Sequence, residues 1–421
     1  MEAAEMEMSN TLESEVRYYC RVFPDVFVKA EGSHIYSESG RAFLDFFSGA
    51  GSLNYGHNNP SIHKAVMYYL KENGIICALD MNTEVKLKFM NEFNETILGP
   101  RGLECKFQFP GPTGTNAIEA AIKLSRKITG RKNIFAFFGS FHGMTLGSLS
   151  ATSSLRYREA SGATLHDVTF MPFPEGFMST FDTIKYMEEV LTDSHSGIEK
   201  PAAVLLETVQ AEGGVNAAPF EWLVKLRDLC TRHEIIMICD DIQVGCGRTG
   251  KFFSFEHSGI KPDIIALSKS ISGLGLPLSM LLIRKDLDAW SPGDHSGTFR
   301  SNALSLTGAL AALEIWKDPG FEKSIGKKSE KVESFLSESF KSMSPRVEIR
   351  GLGMIRGVSI SGNDGPEIAA KIASRCYDNG LILERAGRRS EVVKLLPSLI
   401  IDDDDLYRGL NIIKQAVIEF A

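Results

Sequence analysis

Short apolar runs alternate with amphipathic segments through the middle of the chain. Ala202–Leu206, Ile235–Cys239 and Ile264–Leu267 are runs of four or five apolar residues bounded by polar, proline or charged residues. Runs of this length are typical of strands that are buried on both faces of a parallel sheet. Phe220–His233, between the first two runs, predicts a helix. Strands that alternate with helices indicate an α/β fold around a mostly parallel sheet.

A titratable side chain follows each of these three strands. Glu207 comes after the first strand, Asp240 after the second and Lys269 after the third. Asp240 and Lys269 are 269 − 240 = 29 residues apart, close to the length of about 30 residues of one strand–crossover–strand unit. Open α/β sheets bind ligands beyond the carboxyl ends of their strands. We therefore expect an acid and an amine to face one crevice. The alternative is a structural role for each, since a lone acid after a strand is usually a helix cap and a lone lysine is usually solvated.

A glycine-rich turn before a helix predicts an anion site at the same edge of the sheet. Residues 111–130, GPTGTNAIEAAIKLSRKITG, follow the predicted strand Lys106–Phe109. We expect the helix to begin at Asn116, with Glu119 reaching back to complete the cap. Backbone amides around Gly114 suit a phosphate. No lysine follows the second glycine, so this is not a nucleotide P-loop, and the alternative is a close-packed turn between strand and helix.

Two further loops are candidates for the same site. The predicted strand Ile134–Phe138 leads into GSFHGMT, which brings Phe141 and His142 to the sheet edge. An aromatic ring there could stack on a flat ligand, and the alternative for Phe141 is a place in the hydrophobic core. Residues 49–60, GAGSLNYGHNNP, are rich in glycine, and this loop either contacts a ligand or only connects two elements.

The two ends of the chain are predicted to form a smaller domain. Val26–Ala30 and Ser33–Ser37 predict a hairpin, and the chain from residue 320 onwards alternates between helices and strands, with one strand predicted at Leu381–Glu384. Such alternation, with apolar faces of its own, predicts a second α/β unit. The expected parts are an N-terminal segment of the small domain (1–75), a large ligand-binding domain (76–315) and the C-terminal part of the small domain (316–421).

Three segments have less distinct patterns. Residues 151–200 are polar and predict an irregular surface excursion with one helix near Phe181–Leu191. Residues 347–360, VEIRGLGMIRGVSI, are interpreted as one strand. The long apolar helix predicted at Ala303–Trp316 is expected to cross from the large domain to the small one.

Composition restricts the class of protein. The 421 residues are 43% hydrophobic and 24% charged, as in an ordinary globular protein. The net charge is −7 without a lysine–arginine block, so we expect neither nucleic acid nor a membrane as partner. Seven scattered cysteines and an amino terminus without a signal-peptide pattern predict reduced thiols in a cytoplasmic protein. The histidines show no H-E-x-x-H pattern, and no metal site is expected.

The candidate residues together fit pyridoxal 5′-phosphate. This cofactor needs a lysine for its Schiff base and a carboxylate that keeps its pyridine nitrogen protonated. Lys269 would be that lysine, with a pKa lowered by a dry pocket and the positive ring, and Asp240 would be that carboxylate. Once the substrate displaces it, Lys269 would act as general base and acid.

Four motifs carry a resemblance to a known family. ETVQAEGG (207–214), DDIQVGCGRTG (240–250), SKS (268–270) and HSGTF (295–299) occur in that order. This set resembles the class III, fold-type-I aminotransferases that depend on pyridoxal phosphate, and the resemblance extends from Tyr18 to the end. The stretches 49–58, 97–127 and 240–260 look most like the branch that acts on diaminobutyrate and 2-oxoglutarate, as in ectoine synthesis.

The resemblance implies a fold, an assembly and a role for each candidate. The fold would be a large domain with a mostly parallel sheet between helices, joined to a smaller α/β domain, in a homodimer with sites at the subunit boundary. Glutamate would donate its amino group, and aspartate 4-semialdehyde would accept it at C4. The implied contacts are Lys269 in the Schiff base, Asp240 at the ring nitrogen, Gln243 near the ring hydroxyl, Phe141 on the ring with His142 beside it, Gly114 and Thr115 at the phosphate, Thr298 at the phosphate from the partner subunit, and Glu207 and Glu212 on the substrate side.

One position departs from the family pattern. Where many relatives carry an arginine that clamps the carboxylate of 2-oxoglutarate, this chain has Lys394. Lysine is a point charge and not a two-pronged donor, so carboxylate recognition is either looser or assisted by Arg388 or Arg389. In relatives the counterpart of Glu212 can pair with an arginine that switches between substrates. We expect Leu53, Glu212 and Lys394 to contact the substrate.

Two other functions stay open. One is a transaminase for 4-aminobutyrate, ornithine or another terminal amine, or an aminomutase. The other is a catalytically silent binding protein on the same fold, against which the intact set of Lys269, Asp240 and Gln243 argues.

Overall fold

The structure is a computed structural model that describes residues 11–176, 180–340 and 343–421. Of the predicted N-terminal segment 1–75, residues 1–10 lie outside the described residues. Within the described ranges, no helix has both the length and the apolar character needed to cross a membrane. The strands are β1 Phe27–Glu31, β2 His34–Ser37, β3 Ala42–Asp45, β4 Cys105–Gln108, β5 Ile134–Phe137, β6 Val168–Met171, β7 Ala203–Leu206, β8 Val209–Gln210, β9 Asn216–Ala217, β10 Ile236–Asp240, β11 Ile264–Leu267, β12 Met280–Arg284, β13 Val347–Leu352, β14 Ile355–Ile360, β15 Leu381–Ile382, β16 Glu384–Ala386 and β17 Val392–Leu395. The helices are α1 Tyr19–Val22, α2 Pro60–Lys71, α3 Glu84–Phe93, α4 Gly114–Thr129, α5 Leu146–Ala151, α6 Leu155–Ala160, α7 Thr183–Thr192, α8 Phe220–Arg232, α9 Ala303–Trp316, α10 Pro319–Phe340, α11 Gly365–Asp378 and α12 Asp403–Phe420. A helical turn at Ser48–Gly51, with non-helical dihedrals at Gly49 and Ala50, is left unnumbered.

A seven-stranded sheet contains the three strands that were predicted to be buried. Its order is β4-β12-β11-β10-β7-β5-β6. Strand β10 pairs in parallel with both β7 and β11, whereas β12 runs antiparallel to its two neighbours. The predicted α/β fold around a mostly parallel sheet is therefore confirmed.

Both faces of this sheet are covered, which explains its continuous apolar runs. Val204 and Met237 pack into one hydrophobic cluster, which also includes side chains of α3 and α8. Leu205 and Ile238 point to the other face and pack with side chains of α4. Successive strand residues face opposite sides, and every residue of β7, β10 and β11 is buried.

A second core joins the two ends of the chain. Strand β15 pairs in parallel with β3, with Leu381 opposite Leu44, in the sheet β1-β2-β3-β15. A separate hydrophobic cluster combines Phe46 and Ile62 with side chains of α11 and α12, such as Leu406. This packing favours a small unit built from both termini, and the boundaries at residues 75 and 315 stay a prediction.

Three local predictions were wrong. Residues 347–360 form the hairpin β13–β14, because Gly353 turns the chain with φ +66° and the two strands pair antiparallel. The segment 151–200 contains helix α6 and strand β6, an edge strand whose half-buried VTFM lacks a long apolar run. The strand predicted at Leu381–Glu384 is divided between two sheets, with β15 in one and β16 in the other.

Candidate active site

The carboxyl ends of β7, β10 and β11 lie side by side at one edge of the sheet. Because these strands are adjacent and parallel, Glu207, Asp240 and Lys269 lie at the same edge. A cavity of about 160 Å³ opens there. It is lined by Gly114, Thr115, Phe141, His142, Gly143, Glu207, Glu212, Asp240, Ile242, Gln243, Val244 and Lys269. Nine of these twelve residues were candidates from the sequence, and Gly143, Ile242 and Val244 were not.

His142 and Asp240 form a buried pair in the cavity wall. Nδ1 of His142 lies 2.7 Å from Oδ2 of Asp240, and the two residues are 2% and 5% exposed. Oδ1 of Asp240 accepts a hydrogen bond of 3.2 Å from the backbone N–H of Ile242. Nε2 of His142 is buried without a hydrogen-bond partner among the described residues. The carboxylate of Asp240 is therefore fixed in orientation by two contacts.

Lys269 has an uncommon backbone conformation and an amine inside the cavity. Its φ is +51°, a left-handed value that is costly for a residue with a Cβ atom and that clusters at functional sites. Its Nζ donates a hydrogen bond of 2.9 Å to the backbone oxygen of Ala50. Burial lowers the pKa of Lys269, and the charge of Glu212 opposes this effect only partly. A lower pKa favours the neutral, nucleophilic amine.

Helix α4 presents its first residues to the cavity. The prediction that Asn116 caps this helix was wrong, because the helix begins at Gly114 and Thr113 is the cap. Asn116 completes the capping box as the third helical residue by accepting a 3.1 Å hydrogen bond from the backbone N–H of Thr113. A Cβ atom on Gly114 would lie 2.9 Å from the side chain of Ile242. Unblocked amides and the helix dipole make this end suitable for a phosphate.

Hydroxyl groups next to the helix start form a connected cluster. Oγ1 of Thr115 lies 2.6 Å from Oγ1 of Thr145. Thr145 in turn donates a 2.6 Å hydrogen bond to Glu119, which also accepts from the backbone N–H of Ser148. Glu119 therefore anchors the segment after His142 and Gly143, which corrects its predicted role in the helix cap.

Phe141 lines the cavity, so its side chain is not confined to the hydrophobic core. Its ring meets that of Tyr157 edge to face, with 5.8 Å between centroids. Its backbone N–H donates a 2.9 Å hydrogen bond to Oε1 of Glu207. Burial raises the pKa of Glu207 to about 7, against the opposing influence of His142. Glu207 thus links the Phe141 loop to the end of β7.

Lys394 lies behind the cavity between two carboxylates. Its Nζ is 2.6 Å from Oε1 of Glu212 and 2.9 Å from Oε2 of Glu384. Burial opposes the charge of Lys394, but the two carboxylates outweigh burial and raise its pKa. Burial likewise acts to raise the pKa of Glu212, but the charges of Lys394 and Lys269 lower it. Nε2 of Gln243 donates a 3.2 Å hydrogen bond to Glu212.

Several predicted residues do not line the cavity. Lys394 is fully buried and is separated from the cavity by Glu212. Leu53 is half-buried in the loop 49–60, and Thr298 is exposed. Arg388 and Arg389 are exposed, and the guanidinium of Arg389 donates to a backbone carbonyl in another loop. Neither arginine is at the cavity wall.

Two residues of this region were missed by sequence reasoning. The hydroxyl of Tyr19 donates a 2.7 Å hydrogen bond to Oε1 of Glu384. A signal was present, because Glu384 follows the apolar residues Leu381–Leu383 and a buried acid requires a partner. The partners could not be named, because they depend on strand register and on a contact between the two ends of the chain.

Asp241 points away from the cavity and is expected to make stability depend on pH. Its carboxylate accepts hydrogen bonds from the side chain and backbone of Ser254, while burial raises its pKa from 3.8 to about 7. The folded state therefore binds a proton that the unfolded state releases between these pH values, and stability is lost as pH rises. As pH rises through this range, we expect the free energy of unfolding of Asp241→Asn to increase by about 1.4 kcal/mol per pH unit relative to that of the wild type. Thermal unfolding of both proteins at pH 5 and pH 7 measures the difference, and equal shifts of both midpoints would contradict it.

A larger cleft, of about 910 Å³, lies at the opposite edge of the sheet. Asp263, the residue directly before β11, is one of the residues that line this cleft. Asp263 is paired with Arg227 at 2.8 Å and with Arg284, so these charges already compensate one another. The smaller cavity combines an amine of lowered pKa, fixed carboxylates and a helix start, and we therefore assign the chemistry to it.

Comparison with known proteins identifies the family. The family model described as Aminotransferase class-III matches residues 19–417. This chain belongs to the class III aminotransferases. The aminotransferase is 47% identical over 415 residues to the diaminobutyrate–2-oxoglutarate transaminase of Bordetella parapertussis (strain 12822), which covers 98% of this chain and 95% of that protein. It is also 47% identical over 419 residues to the enzyme of the same name from Halalkalibacterium halodurans, with coverages of 99% and 97%.

Solved structures share the fold of the aminotransferase. An ornithine aminotransferase from Toxoplasma gondii, crystallised with partial occupancy of pyridoxal phosphate, superimposes with a TM-score of 0.87 at 22% identity, covering 100% of this chain and 95% of that one. An aminotransferase from Bacillus anthracis gives a TM-score of 0.88 at 23% identity, with coverages of 99% and 98%. The predicted fold-type-I architecture is therefore confirmed.

As a member of this family the aminotransferase depends on pyridoxal phosphate, and the residues that line its cavity fit this cofactor. The donor set meets the needs of the group: an amine for its carbonyl carbon, a fixed carboxylate for its ring nitrogen and backbone amides for its phosphate. Gly114 adds no side chain of its own at the helix start, where a Cβ atom would lie 2.9 Å from the side chain of Ile242.

Proposed function

We propose that the enzyme transfers an amino group between L-glutamate and C4 of L-aspartate 4-semialdehyde, producing 2-oxoglutarate and L-2,4-diaminobutyrate. The observation that carries this assignment is the 47% identity, over nearly the full length of both chains, with diaminobutyrate–2-oxoglutarate transaminases. Lys394, at the position where many relatives carry an arginine, supplies a point charge in place of a two-pronged donor.

The cofactor's three polar groups would be held by three elements. Asp240, oriented by His142, would keep the ring nitrogen protonated, and the amides of Gly114 and Thr115 would bind the phosphate. When bound, the cofactor supplies an electron sink for negative charge at the substrate carbon. Lys269 would bind the cofactor covalently. Once released, its Nζ would carry the 1,3-proton shift, taking a proton from the substrate carbon and returning it to the carbonyl carbon of the cofactor.

The walls of the cavity would exclude water and position the cofactor ring. Phe141 and Val244 line the cavity, and we assign Phe141 to one face of the ring. Gln243 would lie near the ring hydroxyl, where its amide can donate or accept a hydrogen bond. Glu207 would keep the Phe141 loop in place through the hydrogen bond to its backbone.

Glu212 and Lys394 would distinguish the two kinds of substrate. The reacting carbon of glutamate carries a carboxylate, whereas C4 of diaminobutyrate carries none. While Glu212 is paired with Lys394, this lysine is not available to a substrate carboxylate. Displacement of Glu212 would release one N–H group of Lys394 for glutamate, and Leu53 would contact the substrate chain from the loop 49–60.

A panel of amine donors and acceptors tests this function. The half-reaction of the holoenzyme with glutamate, diaminobutyrate, ornithine and 4-aminobutyrate is followed by the change in cofactor absorbance, and the reverse reaction is measured with aspartate 4-semialdehyde. We expect glutamate and diaminobutyrate to have the highest kcat/KM values. A preference for ornithine or 4-aminobutyrate would replace the substrate assignment, migration of the amine within one molecule would indicate an aminomutase, and no turnover would indicate a binding protein.

The enzyme is further proposed to act as a homodimer. Segments 75–81 and 298–303 form one surface, joined by a 3.0 Å hydrogen bond from the backbone N–H of Ala303 to Ile76 and by the pair Arg300–Asp80. Several large apolar side chains on this surface are exposed, and such a patch favours a subunit interface. They are Ile75, Ile76, Leu79, Met81 and Phe299. Thr298, on the same surface, would then reach the phosphate of the partner subunit.

Replacing Phe299 with glutamate is expected to disrupt this dimer. The ring is 64% exposed in the single chain, and burying a charge in its place would cost several kcal/mol without a partner. Sedimentation velocity is expected to show monomers. Titration of the variant with pyridoxal phosphate is expected to show weakened cofactor binding. Val28→Glu, at an equally exposed position on β1, serves as control. A monomeric wild type, or a dimeric Phe299→Glu protein with normal cofactor affinity, would contradict the proposal.

Two further expectations continue as proposals. The division into residues 1–75, 76–315 and 316–421 is supported by the core that combines both ends of the chain. The cytoplasmic location is supported by seven free cysteines, of which four are buried.

A further inference from the structure

We propose that Glu384 and Tyr19 are positioning residues that hold Lys394 for the dicarboxylate substrate, so that Glu212 alone is exchanged for a substrate carboxylate. This inference rests on the proposed function and adds two residues to it. It concerns the half-reaction with glutamate and 2-oxoglutarate, and not the half-reaction with the diamine.

Strand pairing fixes Glu384 next to Lys394. In the antiparallel ladder of β16 and β17, Glu384 lies directly opposite Lys394. Side chains at directly opposed positions are about 5 Å apart at their Cβ atoms and interact strongly. The two residues are 8% and 0% exposed, and Oε2 of Glu384 is 2.9 Å from Nζ of Lys394. This contact is therefore built into the sheet and does not depend on a loop.

Tyr19 holds the other oxygen of the same carboxylate. Its hydroxyl donates a 2.7 Å hydrogen bond to Oε1 of Glu384, and its ring packs against that of Phe47 with 5.0 Å between centroids. Oε1 of Glu384 thus has a hydrogen-bond donor and Oε2 an ion-pair partner, and movement of the carboxylate away from Lys394 would also disturb the hydrogen bond to Tyr19. Buried carboxylates that lose a partner are strongly destabilised.

Glu212 is bound less firmly than Glu384. It lies in the connection between β8 and β9, and its side chain is 29% exposed, compared with 9% for Glu384. Only its Oε1 contacts Lys394, and the same oxygen accepts a hydrogen bond from Gln243. Glu212 also lines the cavity, whereas Glu384 does not. Of the two carboxylates, Glu212 is therefore the one that a substrate carboxylate can replace.

The fixed pair gives a lysine the orientation that an arginine has intrinsically. Lysine is a compact charge on a flexible stem, whereas the guanidinium of arginine is a rigid fork. The ammonium of Lys394 forms an ion pair with Glu384 and donates hydrogen bonds to Glu212 and Gln243. Glu384 also keeps Lys394 paired while Glu212 is exchanged, so that the buried ammonium is never left without a counter-ion.

Tyr19→Phe tests this role because it removes only the hydroxyl that fixes Glu384. We expect the KM values of both dicarboxylate substrates, glutamate and 2-oxoglutarate, to rise about tenfold, the scale of one lost hydrogen bond to a charged group. The KM of diaminobutyrate is expected to change by less than about twofold. Binding of glutarate to the holoenzyme, measured by calorimetry, should weaken by the same factor as the binding of the dicarboxylate substrates. Tyr36→Phe removes a phenol hydroxyl from β2, outside the site, and serves as the matched control.

Glu384→Gln is a second, independent variant. Removing the negative charge of Glu384 changes the electrostatic energy of Glu212 and that of the substrate carboxylate by similar amounts. This effect therefore largely cancels when one replaces the other, and the remaining effect is the poorer orientation of Lys394. We expect the same selective increase of about tenfold for dicarboxylates, whereas the exposed control Glu338→Gln should leave all constants unchanged. Equal effects on both half-reactions, or none in either variant, would overturn the inference. If the wild type does not react with diaminobutyrate, the substrate proposal fails, and the binding of glutarate still decides the role of Tyr19 and Glu384.

Discussion

Replacing Lys269 with alanine is expected to lower the rate of transamination by at least about 10³-fold, because in the proposed mechanism this one side chain supplies both the covalent link to the cofactor and the general acid–base group. The amine lies in the cavity, and burial lowers its pKa. Alanine retains the Cβ atom, so the backbone at φ +51° is no more strained than in the wild type, and a loss of activity is not a consequence of backbone strain.

Single-turnover kinetics and cofactor absorbance measure this effect separately from folding. The Lys269→Ala protein should lose the absorbance of the covalently linked cofactor and release the cofactor on gel filtration. Lys269→Arg keeps a positive charge but has no amine that can form the link, and it should be equally inactive. Lys285→Ala, at an exposed lysine on the far side of the sheet, is the control. Normal turnover by Lys269→Ala would disprove the assigned mechanism.

The position of Lys269 could be predicted because it depends on short-range features. Runs of four or five apolar residues are too short for a buried helix, and their polar ends mark the carboxyl ends of parallel strands. Asp240 and Glu207 follow the same rule, and the structure brings all three to one cavity. Local sequence thus contains most of the information about the cofactor side of the site.

The surroundings of Lys394 could not be predicted in this way. They depend on the register of β16 against β17, which places Glu384 opposite Lys394. They depend also on Tyr19, which is 365 residues away from Glu384 along the chain. No local pattern of apolar and polar residues specifies a register between two strands or a contact between the chain ends. The expectation that Lys394 contacts the substrate therefore did not include its position behind Glu212.

Glycine positions explain the hairpin that was taken for one strand. Residues 347–360 are apolar or small at most positions, and this pattern alone is typical of a continuous strand. Gly351 and Gly353 have φ values of +102° and +66°, a region open to glycine but costly for other residues. A Cβ atom on Gly353 would lie 2.4 Å from the backbone of Thr249. The turn is therefore determined by a close tertiary approach as well as by local sequence.

Replacing Asp240 with asparagine is expected to lower kcat by about 10²- to 10³-fold, the range for removal of one electrostatic stabiliser from an active site. A carboxylate stabilises the protonated ring nitrogen, which makes the cofactor an effective electron sink, whereas a neutral amide does not. The contact of 2.7 Å with Nδ1 of His142 and the hydrogen bond from Ile242 fix the side chain, so asparagine can keep its shape and lose only its charge.

The neighbouring residue Asp241 provides the matched control for this variant. Both carboxyl groups are buried, but Asp241 is bound by Ser254 and does not line the cavity. Asp241→Asn should therefore leave kcat within about twofold of the wild type. A pyridine analogue with a permanently positive ring nitrogen, such as the N-methylated cofactor, should restore much of the activity of Asp240→Asn, because it supplies the charge that the amide cannot maintain. If the Asp240→Asn protein is as active as the Asp241→Asn protein, Asp240 does not act on the ring nitrogen.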